Sequence, residues 1–478
     1  MTTKKVPDWI ILTLACIAQF MVVLDVSIVN VALPSMKHSL HLTASGSEWV
    51  VNAYVLTFAG FLLLGGRAAD LFGRRKVYLT GIAIFVLASV GAGLAANQSQ
   101  IIAVRALQGI GGAILSPATL TIIITTFQGA RLPKAIGAWS AVAGAGGAVG
   151  GLLGGILTGV ISWRWVFFIN VPFGAAAAVG AVLYLKELRN KDALVKLDIF
   201  GAVAVTTSLA AIIYGVVESP AVGWASNQTI SWLCGGLVGL AIFVFWELKV
   251  ASHPLVPFRI FKSRTILGAD LVMFCMGGAF FCMWYFLTFY FQGVHGYGPV
   301  RAGFAFLPMA LSIIVGAQIS SRIVAKTGIR PLLFIGTIMA TIGFFWMSRL
   351  SVHGGYATDI LGPSIACSLA MGLLFTPLAA AATMGVDRAD SGLASGALNA
   401  GRQIGGSLAL AILATIVIEK AHTYGAAWQG PVAQVAGYQR AFEISSVITL
   451  VAFALTFLVP AAAGRAGASA PAGANAAH

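Results

Sequence analysis

The stretch "IILTLACIAQFMVVLDVSIVNVAL" (residues 10–33) indicates that this chain folds in a membrane. It is apolar over more than the roughly 20 residues that an α-helix needs to cross about 30 Å of hydrocarbon. One carboxylate, Asp25, interrupts it. Because an ionisable side chain inside a membrane is costly, it is a functional candidate by default. The stretch therefore predicts a membrane-spanning helix that carries an acidic residue for a purpose.

The rest of the chain has the same character. Of its 478 residues, 59% are hydrophobic and only 9% are charged, with a mean hydropathy of +0.91, whereas soluble globular proteins carry roughly 25% charged residues. Apolar runs of helical length recur without the alternation of barrel strands, and in lipid a helix satisfies its own backbone hydrogen bonds. We predict an all-α integral membrane protein with fourteen transmembrane helices.

The basic residues orient these helices. The chain has a formal net charge of +14 and 29 lysines and arginines. If the N-terminus is cytoplasmic, 21 of the 29 fall in cytoplasmic segments and 6 at the outer side, while Arg105 and Arg402 lie inside spans. Cytoplasmic loops of membrane proteins carry such an excess. The bias predicts that both termini are cytoplasmic, and it explains the positive charge without a nucleic-acid partner. Short loops and the lack of a sorting signal indicate a cell inner membrane, with membrane lipid around the helices.

An internal repeat divides the chain. The loops "GRAADLFGRRKVYLTG" (66–81) and "SRIVAKTGIRPLLFIG" (321–336) share residues at a constant offset of 255, and they follow predicted spans two and ten. Parallel repeats of this kind are one transporter design. We predict a six-helix bundle over 1–185, an inserted helix pair with cytoplasmic linkers over 186–265, a second six-helix bundle over 266–460, and a disordered Ala/Gly-rich cytoplasmic tail over 461–478.

Asp25 and Arg105 are the candidates for proton coupling in the first bundle. At a rise of 1.5 Å per residue they lie roughly 13 Å and 9 Å below the outer surface, on spans one and four. A buried carboxylate facing a guanidinium can be held ionised, and it can release the arginine when it is protonated. The alternative interpretation is a static ion pair that fixes helix packing.

The second bundle offers Asp270 and Arg402 for the same task. Both enter their spans from the inner side and could line a cavity, although Asp270 could equally be an interfacial residue near Arg264. Glu48 stands at an outer helix end, where solvation is easy, so we expect it to be a surface residue.

The substrate site is expected to be an apolar cavity with few polar groups. The aromatic rings of "FCMGGAFFCMWYFLTFYFQG" (274–293) suit stacking on flat or cationic molecules, although a lipid-facing helix with an interfacial belt would look similar. Polar candidates stand on spans expected to face the cavity. The predicted lining residues for a hydrophobic or cationic small molecule are Asn30, Asn52, Tyr54, Gln108, Phe281, Trp284, Tyr285 and Phe289.

The chain contains four motifs that characterise one family: "LDVSIVNVALP" (24–34), "GGRAADLFGRRK" (65–76), "RALQGIGGA" (105–113) and "SWRWVFFINVPFG" (162–174). With them the chain resembles the major facilitator superfamily, in its fourteen-helix drug:proton antiporter branch, over all but the tail. Span five, "GAWSAVAGAGGAVGGLLGGIL" (137–157), departs from that branch, because Gly150-Gly151 stands where a Gly-Pro is usual.

The resemblance implies the major facilitator fold and proton-coupled efflux of hydrophobic or amphipathic drugs or antibiotics. A proton-coupled uptake symporter or a lipid flippase of the same fold remains an alternative. The resemblance also implies a cytoplasmic gate, formed by Gly66, Asp70, Gly73, Arg74 and Arg75. Glycines allow close helix approach, and those expected to pack span five are Gly146, Gly150, Gly151, Gly154 and Gly155.

The sequence lacks the patterns of an enzyme or a metal protein. No CxxC pair, HExxH, GxSxG or nucleotide-binding GxxxxGK[ST] motif occurs in it. We therefore expect no enzymatic activity, no metal and no cofactor. The proton gradient is the expected energy source, and the protein is expected to be a monomer.

Overall fold

The computed structural model describes residues 7–128, 131–185, 187, 197–252, 254–256, 258–384, 386, 391–425 and 430–460. Within these residues all regular structure is helical, and no strand occurs. The tail predicted to be disordered, residues 461–478, lies outside them. The fold consists of packed helices joined by short connections.

Thirteen helices in the described ranges are long and apolar enough to cross a membrane, and a further 30-residue helix completes the predicted set of fourteen. In chain order they are α1 (Asp8–Ser39), α2 (Ala44–Phe72), α3 (Arg74–Leu94), α4 (Gln98–Thr126), α5 (Arg131–Val160), α6 (Trp165–Tyr184), α7 (Ile199–Val222), α8 (Asn227–Val250), α9 (Arg264–Val294), α10 (Pro299–Val324), α11 (Ile329–Met347), α12 (Tyr356–Ala382), α13 (Ser391–His422) and α14 (Pro431–Leu458).

Two glycines form the same turn in both halves of the chain. Gly73 separates α2 from α3 with a φ of 98°, and Gly328 separates α10 from α11 with a φ of 82°. Residues with a Cβ atom rarely adopt these values, which explains the glycines. Because the two positions are 255 residues apart, the repeat in the loop sequences is also a repeat of backbone conformation.

The helices pack in one pattern twice. α1 packs on α5, α2 on α4, and α3 on α4 and α6; eight helices later α9 packs on α13, α10 on α12, and α11 on α12 and α14. The predicted architecture of two six-helix bundles, α1–α6 and α9–α14, with two additional helices is thereby confirmed.

The two bundles meet along α2 with α13 and along α5 with α10. The inserted helices cover the first of these contacts: α7 packs on both α2 and α13, and α8 packs on α7. Leu56 of α2, Ile213 of α7 and Ala411 of α13 are buried in one apolar cluster there.

The glycines of α5 serve two contacts at once. Gly146, Gly150 and Gly154 lie against α1, and Gly151 and Gly155 lie against α10. A Cβ atom at Gly154 would stand 2.7 Å from the backbone oxygen of Ile28, and one at Gly155 would stand 3.2 Å from the Cα of Gly303. Backbones approach this closely only over small residues. α5 therefore packs on its own bundle with one face and on the other bundle with the opposite face.

Candidate functional site

A cavity of about 1290 Å³ lies between the two bundles. Helices of both bundles line it, together with the end of α8 and the segment that follows. The lining reaches Arg67, Ile124 and Thr383, near the ends of α2, α4 and α12. At the opposite end α1 and α9 approach each other, and Gln292 Nε2 donates a hydrogen bond to the backbone oxygen of Val31 at 2.8 Å. The cavity thus extends toward the side of the helix layer that carries the α2–α3 loop.

Three predicted lining residues border this cavity: Asn30, Phe281 and Trp284. Asn30 Nδ2 donates to the backbone oxygen of Val26 at 3.2 Å, while its Oδ1 has no hydrogen-bond partner among the described residues. Trp284 stacks on Phe306 of α10, with the ring centroids 4.9 Å apart. Phe281 and Trp284 therefore give the cavity an aromatic wall on the α9 side.

The other predicted lining residues lie elsewhere: Asn52, Tyr54, Gln108, Tyr285 and Phe289. Tyr285 and Phe289 pack against each other, with ring centroids 5.0 Å apart. Asn52 is fully buried, and neither of its amide atoms has a hydrogen-bond partner within the described ranges. The prediction failed here because hydropathy assigns a residue to a span but does not give the rotation of that helix about its axis.

Asp25 and Arg105 form a closed ion pair. Arg105 Nη1 donates to Asp25 Oδ2 at 2.5 Å, and the two side chains are 2% and 0% exposed. α1 carries the acid and α4 carries the base, and these helices contact each other directly. Without water, only direct charge-assisted hydrogen bonds offset the desolvation of both groups.

Two amides complete the surroundings of the carboxylate. Gln108 Nε2 donates to Asp25 Oδ1 at 2.7 Å, and Asn170 Nδ2 donates to the same oxygen at 3.3 Å. Both amides also donate to Ser89 Oγ, at 2.7 Å and 3.2 Å. Asp25 thus accepts hydrogen bonds from α4 and α6, and Ser89 of α3 joins the two amides. We refer to Asp25, Ser89, Arg105, Gln108 and Asn170 as the buried polar network.

Arg105 has further partners that do not depend on the acid. Its Nη1 also donates to Gln108 Oε1 at 2.7 Å, and its Nε donates to the backbone oxygen of Val50 at 3.1 Å. The guanidinium carbon lies 4.3 Å from the ring centre of Tyr54, close enough for a cation–π contact. Tyr54 and Gln108 therefore belong to the surroundings of the ion pair instead of the cavity wall.

Two members of the network were missed by the sequence analysis. Asn170 lies inside the quoted motif at 162–174, so a signal for it existed. Ser89 lies in the apolar run of α3, where a lone serine more often bonds its own helix backbone. Nothing in the local sequence distinguishes it.

Asp270 and Arg402 do not form a corresponding pair. Both carboxylate oxygens of Asp270 are buried without a hydrogen-bond partner among the described residues. Arg402 lines the cavity, and its Nε likewise has no partner there. The role in proton coupling that the sequence suggested for these two residues stays a prediction.

The predicted cytoplasmic gate surrounds the α2–α3 turn. Gly66 lines the cavity, Gly73 forms the turn and Arg74 begins α3. Arg75 Nη2 donates to the backbone oxygen of Val182 in α6 at 2.8 Å. The side chain of Asp70 lies outside the described part of the structure, so its partners stay a prediction.

The described charges that line the cavity are mostly positive. They are three arginines, Arg67, Arg259 and Arg402, and one acid, Glu247. The carboxylate of Glu247 accepts hydrogen bonds from the backbone N–H groups of Leu255 and Val256, at 3.1 Å and 2.9 Å. It therefore holds the segment after α8 in place.

Glu48 is not the surface residue that we expected. It is only 2% exposed, and its Oε2 has no hydrogen-bond partner in the described ranges. Trp49 Nε1 and both amide atoms of Asn52, on the same turn of α2, are also without partners there. The expectation was wrong because α1 continues to Ser39 and other helices pack over this turn, which keeps it from the outer surface.

Comparison with known proteins assigns the chain to a family. The family model described as Major Facilitator Superfamily matches residues 15–410. The chain is 39% identical over 466 residues to the cephamycin export protein CmcT of Amycolatopsis lactamdurans, covering 97% of this chain and 94% of that protein. It is 36% identical over 412 residues to the puromycin resistance protein pur8 of Streptomyces alboniger, covering 85% and 81% of the two chains.

A solved structure supports the same fold at low identity. The crystal structure of an auto-inhibited POT family peptide transporter aligns with a TM-score of 0.67 and 15% sequence identity, covering 95% of this chain and 96% of that one. At this identity the likeness concerns the fold alone.

Proposed function

This chain belongs to the Major Facilitator Superfamily, and from that premise we propose that it is a secondary active exporter that exchanges protons for hydrophobic or amphipathic compounds of the antibiotic type. Membership places it among transporters instead of enzymes. Relatives named for cephamycin export and puromycin resistance support an outward direction of transport. The gradient supplies the energy, and no cofactor is required.

One observation carries the proposal: a carboxylate fully removed from water is paired with an arginine in a helix bundle that lines a large cavity. When Asp25 is ionised, Arg105 and the two amides stabilise its charge. When Asp25 takes up a proton, the attraction to Arg105 falls, and the guanidinium turns to Gln108, Val50 and Tyr54. A proton can therefore change how tightly α1 and α4 hold each other, which is a local event that biases a two-state fold.

The cavity supports alternating access between the two bundles. In this structure it extends toward the α2–α3 side and is closed by α1 and α9 at the other end. With both termini in the cytoplasm of a cell inner membrane, as the basic loops predict, this is an inward-facing state ready to load substrate. Rocking of residues 1–185 against residues 266–460 opens the outer end, and the gate around Gly73 closes the inner end.

The glycine contacts of α5 support such a motion. Gly151 and Gly155 let the α5 backbone lie directly on α10 across the two bundles. A contact made of backbone and small residues can slide or tilt with little change in side-chain packing. The two bundles of a single chain are sufficient to line the cavity, which supports transport by a monomer.

Transport in reconstituted vesicles tests the proposal against its rivals. Purified protein in proteoliposomes with an imposed proton gradient is expected to drive counterflow of an amphipathic fluorescent probe such as pyrenebutyric acid, and of an antibiotic such as a cephamycin. Movement of substrate in the same direction as protons would identify an uptake symporter, and movement of labelled phospholipid alone would identify a flippase. Cells with and without the protein, compared on an antibiotic panel, give the independent check.

A further inference from the structure

We propose that the cavity selects amphipathic molecules that carry a negatively charged group, a carboxylate above all, and that Arg402 binds this group. The proposal rests on the exporter function described above and names its substrate class. It replaces the cationic substrate that the aromatic residues alone suggested.

Arg402 is the first reason. It lines the cavity, and no hydrogen bond or ion pair joins it to another described residue. Arg105 in the other bundle shows the contrast, since its guanidinium donates to Asp25, Gln108 and Val50. A guanidinium whose five donors have no hydrogen-bond partner among the described residues offers a strong bidentate site for a carboxylate.

The remaining charges of the cavity favour the same sign. Arg67 also lines the cavity, where it donates to the backbone oxygen of Pro254. Glu247 is the only acid among the described lining residues, and two backbone N–H groups occupy its carboxylate. Among the described lining residues, Arg402 offers an unpaired positive charge, and the single negative charge already interacts with the backbone, so an anionic ligand is attracted more strongly than a cationic one.

The spacing of polar and apolar groups fits an amphipath. The backbone of Arg402 lies against α9 at Gly277, where an added Cβ would stand 2.9 Å from the Arg402 Cα. Phe281 and Trp284 follow four and seven residues later on α9 and also line the cavity. At 1.5 Å per residue they lie about 6 Å and 10 Å further along the helix. A ligand with its charge at Arg402 can therefore lay an aromatic body on these rings.

Binding of three matched probes tests the charge preference. Pyrenebutyric acid, pyrenebutanol and pyrenebutylamine share one aromatic body and differ only in the terminal group. Their affinities for the purified full chain in detergent can be measured by fluorescence titration. The acid is expected to bind at least about tenfold more tightly than the alcohol, because a hydrogen bond to a charged group contributes about 1.5–3 kcal/mol; the amine is expected to bind most weakly.

Two substitutions and a control assign the preference to Arg402. Arg402→Gln should reduce binding of the acid to the level of the alcohol and leave the alcohol unchanged, while Arg402→Lys should retain part of the preference. Arg440→Gln removes an arginine that pairs with Glu443 on the exposed surface, and it should change none of the three affinities. All variants are first checked for monodispersity and thermal stability.

Two outcomes would overturn the proposal. One is that the wild-type protein binds the amine as tightly as the acid. The other is that both Arg402 variants weaken all three probes equally, which would make Arg402 a packing residue. Failure of the exporter function is separate: if proteoliposomes move no probe against a proton gradient while acid binding still depends on Arg402, export is wrong and the charge preference stands.

Discussion

The two bundles repeat one packing pattern, but they treat their buried acids differently. Asp25 of the first bundle accepts hydrogen bonds from Arg105, Gln108 and Asn170. Asp270 of the second bundle has two buried carboxylate oxygens and no hydrogen-bond partner among the described residues. The comparison shows that the repeat preserved the helix contacts without preserving the chemistry between the helices.

The packing register explains the difference. Gly146 lies against the backbone of Phe20 in α1, and Gly401, 255 residues later, has the backbone of Asp270 in α9 as its nearest contact. Asp270 therefore occupies the position of Phe20, five residues before that of Asp25. Five residues correspond to about 7.5 Å along a helix. The acid of the second bundle thus lies at another depth, away from any equivalent of Arg105.

Replacing the paired acid is expected to have the largest effect. Asp25→Asn removes the titratable group and keeps the shape of the network, so proton-driven transport should fall to the level of protein-free liposomes while the protein remains folded. Asp8→Asn is the matched control on the same helix, since Asp8 pairs with Arg131 on the exposed surface. Full transport activity of Asp25→Asn would show that Asp25 does not couple transport to protons.

Replacing the base comes next. Arg105→Ala leaves Asp25 buried without its counter-charge, which costs about 3–5 kcal/mol, so both transport and the Tm should fall. Arg105→Lys keeps the charge but loses the Val50 and Tyr54 contacts, and it should retain part of the activity. Equal, wild-type transport by both variants would mean that the pair only fixes helix packing.

The neutral donor of α6 tests whether the network acts as a unit. Asn170→Ala removes one hydrogen bond to a charged group, which contributes about 1.5–3 kcal/mol. Transport measured against the proton gradient should therefore fall by about tenfold, with the direction of exchange unchanged. A transport rate equal to wild type would reduce the functional network to Asp25, Arg105 and Gln108.

The unpaired acid of the second bundle is expected to matter less. Asp270→Asn replaces a buried carboxylate that has no hydrogen-bond donor by a neutral amide. The free energy of unfolding should therefore rise by up to about 1–3 kcal/mol, the Tm should rise with it, and most transport should remain. If Asp270→Asn lost transport as completely as Asp25→Asn, the contrast between the bundles would be wrong, because an acid in each bundle would then be needed for proton-coupled transport.

Glu48 provides the smallest expected change. Glu48→Gln replaces an acid that has one unpartnered oxygen by a neutral side chain of the same shape, so the Tm should rise slightly and transport should remain. A thermal-shift measurement in detergent compares it with Asp270→Asn. A fall in the Tm would show that Glu48 makes a stabilising charge interaction in the folded protein.

Much of the fold could be predicted from local sequence. The fourteen helices follow from the length and spacing of apolar runs, and the two related bundles follow from a loop repeated at an offset of 255. The positive φ of Gly73 and Gly328 agrees with that repeat. These features depend on composition and chain order, which are written in the sequence directly.

The site could be predicted only in part. Asp25 and Arg105 were recognisable because charged residues in lipid are rare and the two lay at similar depth. Ser89, which accepts hydrogen bonds from Gln108 and Asn170, was not, since a serine in an apolar helix more often bonds its own backbone. Glu48 was placed at the surface, although helix packing buries it.

The sequence by itself determined the membrane environment, the number of helices, the repeat and the identity of the charged residues, because each depends on local composition and order. The tertiary structure decided which polar groups meet and which stay unpaired, and it decided that Arg402 instead of Tyr54 or Gln108 lines the cavity. The physical reason is that the rotation of a helix about its axis, and its register against its neighbours, are fixed by packing between helices that are distant in the chain.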